Sequence, residues 1–202
     1  MRPGLHRRRF TLVLLAPLAG CALGPPAEPP VTRSLLDQVP AGLPRRAASA
    51  ATLLVFPPEA RPALDTTQMA YTLEAHRIAY FAHNEWGETP PQMLQPLLVR
   101  TLEATGAFAA VVTTPFDGTA TLGLRCTFTE LVQDFAQDPP VLRLGLRASL
   151  SDEPAGRVLG TREIRIDAPM AQKNPAAGVQ AANDALARAL RELAAFVLER
   201  AP

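Results

Sequence analysis

The run YFAHNEWGETPP at residues 80–91 sets a histidine, an amide, a carboxylate and the chain's single tryptophan side by side at positions 83 to 86. His83 and Glu85 are residue types that move protons, so this cluster has the makings of a hydrolase acid–base pair. A hydrolase built on two carboxylates carries no linear motif, because any two acids can meet in space. Glu85 and Glu88, however, flank a turn just before a capped helix, where the field of the helix start favours acids. The other two histidines offer little: His6 lies in the basic N-terminal stretch, and His76 and His83 are seven apart on one extended segment, hence on opposite faces of a sheet. Neither HxxxH nor CxxC spacing occurs, and there is no GxSxG, phosphate-cradling glycine loop or dinucleotide fingerprint. Cys126 shares strand parity with Leu122, Leu124 and Phe128 in LGLRCTF, which predicts a small buried hydrophobe and not a nucleophile. The sequence therefore points away from catalysis, and a lipid-anchored hydrolase using His83 or Glu85 is kept as a reading that substitution would test.

The elements that must position these residues are well punctuated. ATLLVFPP (51–58) reads as a strand stopped by two prolines, and residues 67–86 as two strands joined near Glu74 and Ala75. Residues 89–106 read as a helix: Thr89 can cap, Pro90 suits the first turn, Gln92 completes a capping box, and Met93, Leu94, Leu97, Leu98 and Leu102 share a side. Pro96 removes one internal bond and predicts a kink or a delayed start. Strands follow at 107–113, 119–135, 141–151 and 157–168, the last two joined by a short connection and so predicted to form a hairpin. Asn174 and Pro175 open a closing helix whose stripe is Val179, Ala182, Leu186, Leu190, Leu193 and Val197. The order predicts an α+β fold: a mostly antiparallel sheet with two amphipathic helices packed on one face. Arg125, Arg143, Arg147 and Arg165 point opposite to the apolar series of their strands, so the uncovered face carries several arginines. That face is either solvated or a docking surface for a protein partner or anionic headgroups.

The N-terminus is of another kind. MRPGLHRRRFTLVLLAPLAGC pairs four arginines with an apolar stretch too short for a stable bilayer span of about 20 residues, the pattern of a secretory signal. Leu18-Ala19-Gly20-Cys21 resembles a bacterial lipobox, in which Cys21 is lipidated and becomes the first residue of the mature chain. The expected division is a signal at 1–20, lipidated Cys21 with a Pro-rich tether over 21–50, and a single periplasmic domain over 51–202. About 29 tether residues at up to ~3.3 Å each reach on the order of 90 Å. Ala22 after the lipidated cysteine resembles an outer-membrane address, an Asp there being the inner-membrane retention signal of enteric bacteria. Four of the 20 Lys and Arg lie in the signal, so 16 bases against 19 acids leave the mature chain at −3, which gives no reason to expect nucleic acid as a partner. With Cys21 lipidated, Cys126 has no disulfide partner.

Residues 69–108, MAYTLEAHRIAYFAHNEWGETPPQMLQPLLVRTLEATGAF, together with the lipobox, the Pro-rich stretch and the early LLVFPP strand, resemble the auxiliary lipoproteins of ABC-type lipid and organic-solvent transporters. These accompany MCE-type substrate-binding proteins, including the Pqi-type intermembrane system. The matching features are 53–57, Tyr80-Phe81, Trp86, 93–102 and Gly106-Ala107-Phe108; Pro96 inside the helix departs from the pattern. The resemblance implies no catalytic residues and no cofactor beyond the lipid on Cys21. It implies a non-enzymatic accessory on the periplasmic face of the outer membrane that docks on an MCE protein or on the permease and ATPase complex. Phospholipid or a hydrophobic solute would be the cargo, and a tethered domain serving a ring-shaped partner can itself form a homo-oligomer. Under the resemblance Tyr80 and Trp86 close a hairpin against the first helix, with an exposed Trp86 anchor for a partner as the alternative. The rival class is a structural or regulatory lipoprotein that tethers a cell-wall or secretion machine.

Overall fold

The computed structural model describes residues 28–202. Along them run β1 (Thr32–Ser34), β2 (Thr52–Val55), β3 (Glu59–Ala60), β4 (Gln68–Thr72), β5 (Ala79–Trp86), α1 (Pro90–Glu103), β6 (Ala110–Thr113), β7 (Leu122–Asp134), β8 (Val141–Asp152), β9 (Arg157–Pro169) and α2 (Pro175–Arg200). The signal, Cys21 and the first part of the expected tether lie outside the described residues. No helix among the described residues is long and apolar enough to cross a membrane.

The spine of the sheet is β7. On one side β8 pairs with it antiparallel from Leu122↔Asp152 to Asp134↔Val141, and β9 pairs with β8 in the same way. On the other side three short strands follow one another along β7, all parallel to it: β2 at Leu53↔Leu122, β3 at Glu59↔Thr127 and β4 at Tyr71↔Gln133. Beyond β2 lies β6, parallel; beyond β4 lies β5, antiparallel; and beyond β5 lies β1, parallel. Five of the eight pairings are thus parallel, while the two longest ladders, β7 with β8 and β8 with β9, are antiparallel, so the sheet is mixed and the expected antiparallel character holds for its long strands only. That the three short strands share one direction has a local cause. Pro57 and Pro58 interrupt residues 52–72 without reversing them, so the chain steps along β7 in one direction instead of folding back as hairpins.

Alternation decides what the sheet buries. Leu122, Leu124, Cys126 and Phe128 of β7, Leu142 to Leu150 at every second position of β8, and Ile164, Ile166 and Ala168 of β9 are all buried. Each large apolar side chain so placed is worth about 1.5–3 kcal/mol over exposure. The covers are α1, against β2, β3, β6 and β7, and α2, against β8 and β9. Met93, Leu94, Leu97, Leu98 and Leu102 face the core from α1, and Ala182, Leu186, Leu190, Leu193 and Val197 from α2. Both helix starts form as expected. The Thr89 backbone N–H donates to Gln92 Oε1 (3.0 Å), and Asn174 Oδ1 accepts from the Ala177 N–H (2.9 Å). Pro96 sits within a continuous α1, exposed like Gln92, whose carbonyl it leaves without a helical donor.

The stretch expected as tether is partly domain. Thr32, Arg33 and Ser34 pair with Asn84, Glu85 and Trp86, and Leu36 is buried in the core with its N–H 3.3 Å from Met93 Sδ. From there the chain runs along α2 as a strap. Asn183 Oδ1 accepts from the Asp37 and Gln38 N–H groups, and Asn183 Nδ2 donates to the Leu35 carbonyl. Arg191 donates to the Ala41 carbonyl, and Arg46 donates to the carbonyls of Leu198, Ala201 and Pro202 at the end of α2. Pro40 and Pro44 keep this stretch out of a ladder, but the backbone groups of Leu35, Asp37, Gln38 and Ala41 are met by side chains of the helix beneath. The domain therefore begins near residue 32 and not at 51.

Candidate partner-docking face

The side chains opposite the helices form one uncovered face of β7, β8 and β9. Each of the four arginines expected there stands on it, and the register gives three of them acids. Arg125 stacks 3.7 Å over the Phe56 ring, pairs with Glu153 (3.2 Å) and donates to Ser151 Oγ (3.1 Å). Arg143 Nε lies 3.0 Å from Glu130 Oε1, and its Nη1 lies 3.7 Å from Asp134 Oδ2. The Arg143 Nε–H is not aimed at that oxygen, so the first contact is Coulombic and not a hydrogen bond. Arg165 pairs with Glu163 at 2.6 Å. Exposed pairs of this sort are worth at most about 1 kcal/mol each. Their main effect is to hold the guanidinium groups in place and cancel most of the face's charge.

Arg147 is different. It lies between Thr127 and Glu163 in the register, is exposed, and makes no ion pair among the described residues. Arg61, just beyond β3, is likewise exposed and unpaired; its backbone N–H donates to the Phe128 carbonyl. These two and Arg165 ring a hollow of about 300 Å³ completed by Thr129, Glu130 and Glu163. The hollow has a backbone cause. Phe128 pairs with Leu146 and Glu130 with Gly145, leaving Thr129 as the extra residue of a β-bulge. Thr129 Oγ1 lies where a side chain at position 145 would begin, 2.4 Å from an ideal Cβ, so only glycine fits opposite the bulge. Sequence reasoning missed Arg61 and the bulge. The signal was present, since a glycine inside an alternating apolar strand marks a bulge or a close approach.

The other candidate residues fall elsewhere. Trp86 is 3% exposed and packs in the core, and its backbone N–H donates to the Thr67 carbonyl (2.7 Å). It is a structural side chain with no surface to offer a partner, which removes the exposed-anchor alternative. Glu85 is engaged by Arg33 (3.5 Å), and no hydrogen bond joins it to His83 among the described residues. Cys126 is buried, and loss of solvation pushes its thiol up to about 12, so it stays protonated and unreactive at neutral pH. Among the described residues no three His, Cys, Asp or Glu converge as metal ligands.

Residues 34–194 match the ABC-type transport auxiliary lipoprotein component family. The chain belongs to this family. The matched span opens inside β1, so the strap belongs to the shared domain. The fold is similar to that of a crystal structure of a protein from Xanthomonas campestris, 22% identical with a TM-score of 0.72, covering 84% of this chain and 95% of that one. It is also similar to a second, uncharacterized protein (15% identical, TM-score 0.69, 84% and 99% covered) and to a hypothetical protein from Chlamydia trachomatis (10%, TM-score 0.53, 75% and 98%). At these identities the likeness is one of fold. No curated protein matches the chain.

Proposed function

We propose that this lipoprotein is a non-enzymatic accessory of an MCE-type ABC transport system that moves phospholipid or hydrophobic solutes across the envelope. It is held by lipid on Cys21 to the periplasmic face of the outer membrane. In this reading the arginine face docks a protein subunit of the system, and the permease and ATPase are separate chains. The observation that carries the docking surface is the bulge hollow, where Arg61 and Arg147 make no ion pair among the described residues because Glu130 and Glu163 are engaged by Arg143 and Arg165. Two free guanidinium groups beside Thr129 suit a carboxylate projecting from a partner, bound by charge-assisted hydrogen bonds. A face so nearly balanced in charge suits a mixed protein surface better than a sheet of anionic headgroups, which calls for a basic excess.

The test is a detergent pull-down of tagged full-length protein from its host, comparing wild type with the double variant Arg61→Glu, Arg147→Glu. The expected result is recovery of an MCE protein with permease and ATPase by the wild type and their loss from the variant, with unchanged thermal unfolding. Recovery of a cell-wall or secretion complex without transporter subunits would refute the transport reading. Equal recovery by both forms would refute the docking surface alone. His83→Ala and Glu85→Gln should leave transport intact if the chain does no chemistry; a folded variant that abolishes it would restore the hydrolase.

A further inference from the structure

Two large apolar side chains stand exposed at one tip of the molecule. The turn between β4 and β5 runs through residues 73–78, and Leu73 (62% exposed) and Ile78 (46%) begin and end it. Apolar side chains exposed singly are ordinary on protein surfaces. These two belong to one turn and line a shallow hollow of about 270 Å³ that also takes in Tyr71, Ala79 and Arg77. The turn is held in shape by the Arg77 guanidinium on Glu74 Oε2 (3.1 Å) and by the Arg77 N–H on the Glu74 carbonyl (3.4 Å). Burying two such side chains elsewhere would be favourable, so the tip raises the question of what covers it.

The direction of β1 answers that question. It is parallel to β5, with Thr32 opposite Asn84 and Ser34 opposite Trp86. Residues that precede Thr32 therefore approach from the low-numbered end of β5, where the 73–78 turn lies. From Asn84 back to Ile78 is six residues of strand, roughly 20 Å at ~3.3 Å each. From Thr32 back to Cys21 is eleven residues, a reach of up to about 36 Å. A lipid on Cys21 can thus enter a bilayer that the turn itself touches.

We infer that the 73–78 turn is a membrane-contact element, placing Leu73 and Ile78 in the interfacial layer of the bilayer that holds the anchor. This rests on lipidation at Cys21, as proposed above. Arg77 and His76 sit on the same turn, and Arg77 can exchange its exposed Glu74 partner for a lipid phosphate while its aliphatic stem stays with the apolar pair. The contact orients the domain. The 153–156 turn, at the opposite end of β7 where Asp152 pairs with Leu122, points away from the bilayer, and the arginine face stands at its side.

The test uses the full lipidated chain with Ala75→Cys carrying an environment-sensitive fluorophore, because Cys21 is blocked by lipid and Cys126 is buried. The chain is reconstituted into vesicles of phosphatidylethanolamine with a minority of phosphatidylglycerol, with and without lipids carrying a nitroxide near the headgroup. Ala155→Cys, at the far turn, is the comparison. The expected result is a blue-shifted Ala155-distinct emission at position 75, quenched at least about twofold more than at 155, as burial in the outer 5–10 Å of the bilayer requires. Adding Leu73→Ser and Ile78→Ser should abolish the difference while flotation with vesicles persists. A chain that floats with a water-like, unquenched label at 75 overturns the inference and leaves the anchor standing. A blue shift without lipid quenching means a second copy covers the turn, which also overturns it. Failure to float overturns the anchor and this inference together.

Discussion

Gln133 is the most informative single residue to change. It lies on the helix-facing side of β7, is 2% exposed, and has neither amide atom hydrogen-bonded among the described residues. Its register neighbours are Tyr71 and Leu142, and Gly178 of α2 lies over it, so close that an ideal Cβ there would fall 2.1 Å from the Gln133 Cδ. A buried polar group left without a partner costs about 1–3 kcal/mol. Methionine has nearly the same length, no hydrogen-bonding demand and adaptable packing. Gln133→Met should therefore stabilise the fold by about 1–3 kcal/mol, less any repacking cost, which for a volume-conserving swap stays under about 1.5 kcal/mol. For a domain of this size each kcal/mol moves the melting temperature by about 2–4 °C. The assay is urea unfolding, in which the midpoint should rise at constant slope, backed by thermal unfolding. A loss of 1 kcal/mol or more would refute the reasoning. It would mean that the amide is satisfied in the folded protein.

Gly178→Ala tests the same contact from the helix side. Helix propensity alone would favour alanine by about 1 kcal/mol, yet the added methyl meets Gln133, so unfolding should show net destabilisation that Gln133→Ala relieves in the double variant. Asn183→Ala removes the clasp on the strap and should cost about 1–3 kcal/mol, with limited proteolysis newly directed at residues 35–46. Asn174→Ala removes the α2 cap and should lower stability by about 1 kcal/mol in urea unfolding. The Cys126 thiol is held neutral by burial, its folded value raised from 9.0 to about 12. Its stability contribution is complete below pH 9 and lost as the pH climbs toward 12, because the unfolded chain releases the proton first. A thiol reagent should leave Cys126 untouched at pH 8 until the protein unfolds.

The parts of the fold legible in the sequence are those with a local cause. α1 and α2 start where Thr89 and Asn174 cap them, and β8, β9 and β7 as far as Phe128 alternate clearly enough to name both of their faces. The face carrying Arg125, Arg143, Arg147 and Arg165 was legible for the same reason. What escaped has non-local causes. That Arg143 is engaged by Glu130 and Asp134 while Arg147 is free depends on a one-residue bulge that shifts the register of β7 against β8. The parallel course of β2, β3 and β4 along β7 depends on which edge of the sheet the chain meets first, and nothing in ATLLVFPP records that. The strap was misread because proline-rich composition speaks only of what the backbone cannot donate. Asn183 and Arg191, some 150 residues further on, supply partners for its backbone, and the carbonyls at the end of α2 accept from its Arg46.

The pairing of β1 with β5 also has a mechanical meaning. Because the two strands are parallel and the chain enters β1 from the 73–78 side, tension applied at the N-terminal end acts along the strand axis. The ladder bonds are then loaded together in shear, and cannot be peeled open one at a time. Directly behind them Leu36 is seated in the core as a stop, and only past it does the load reach the strap and the carbonyls that Arg46 holds at the end of α2. Under the proposed anchoring at Cys21, the first strand, three residues long, would work as a cable grip, taking the load at the edge of the sheet before it reaches the helices or the arginine face.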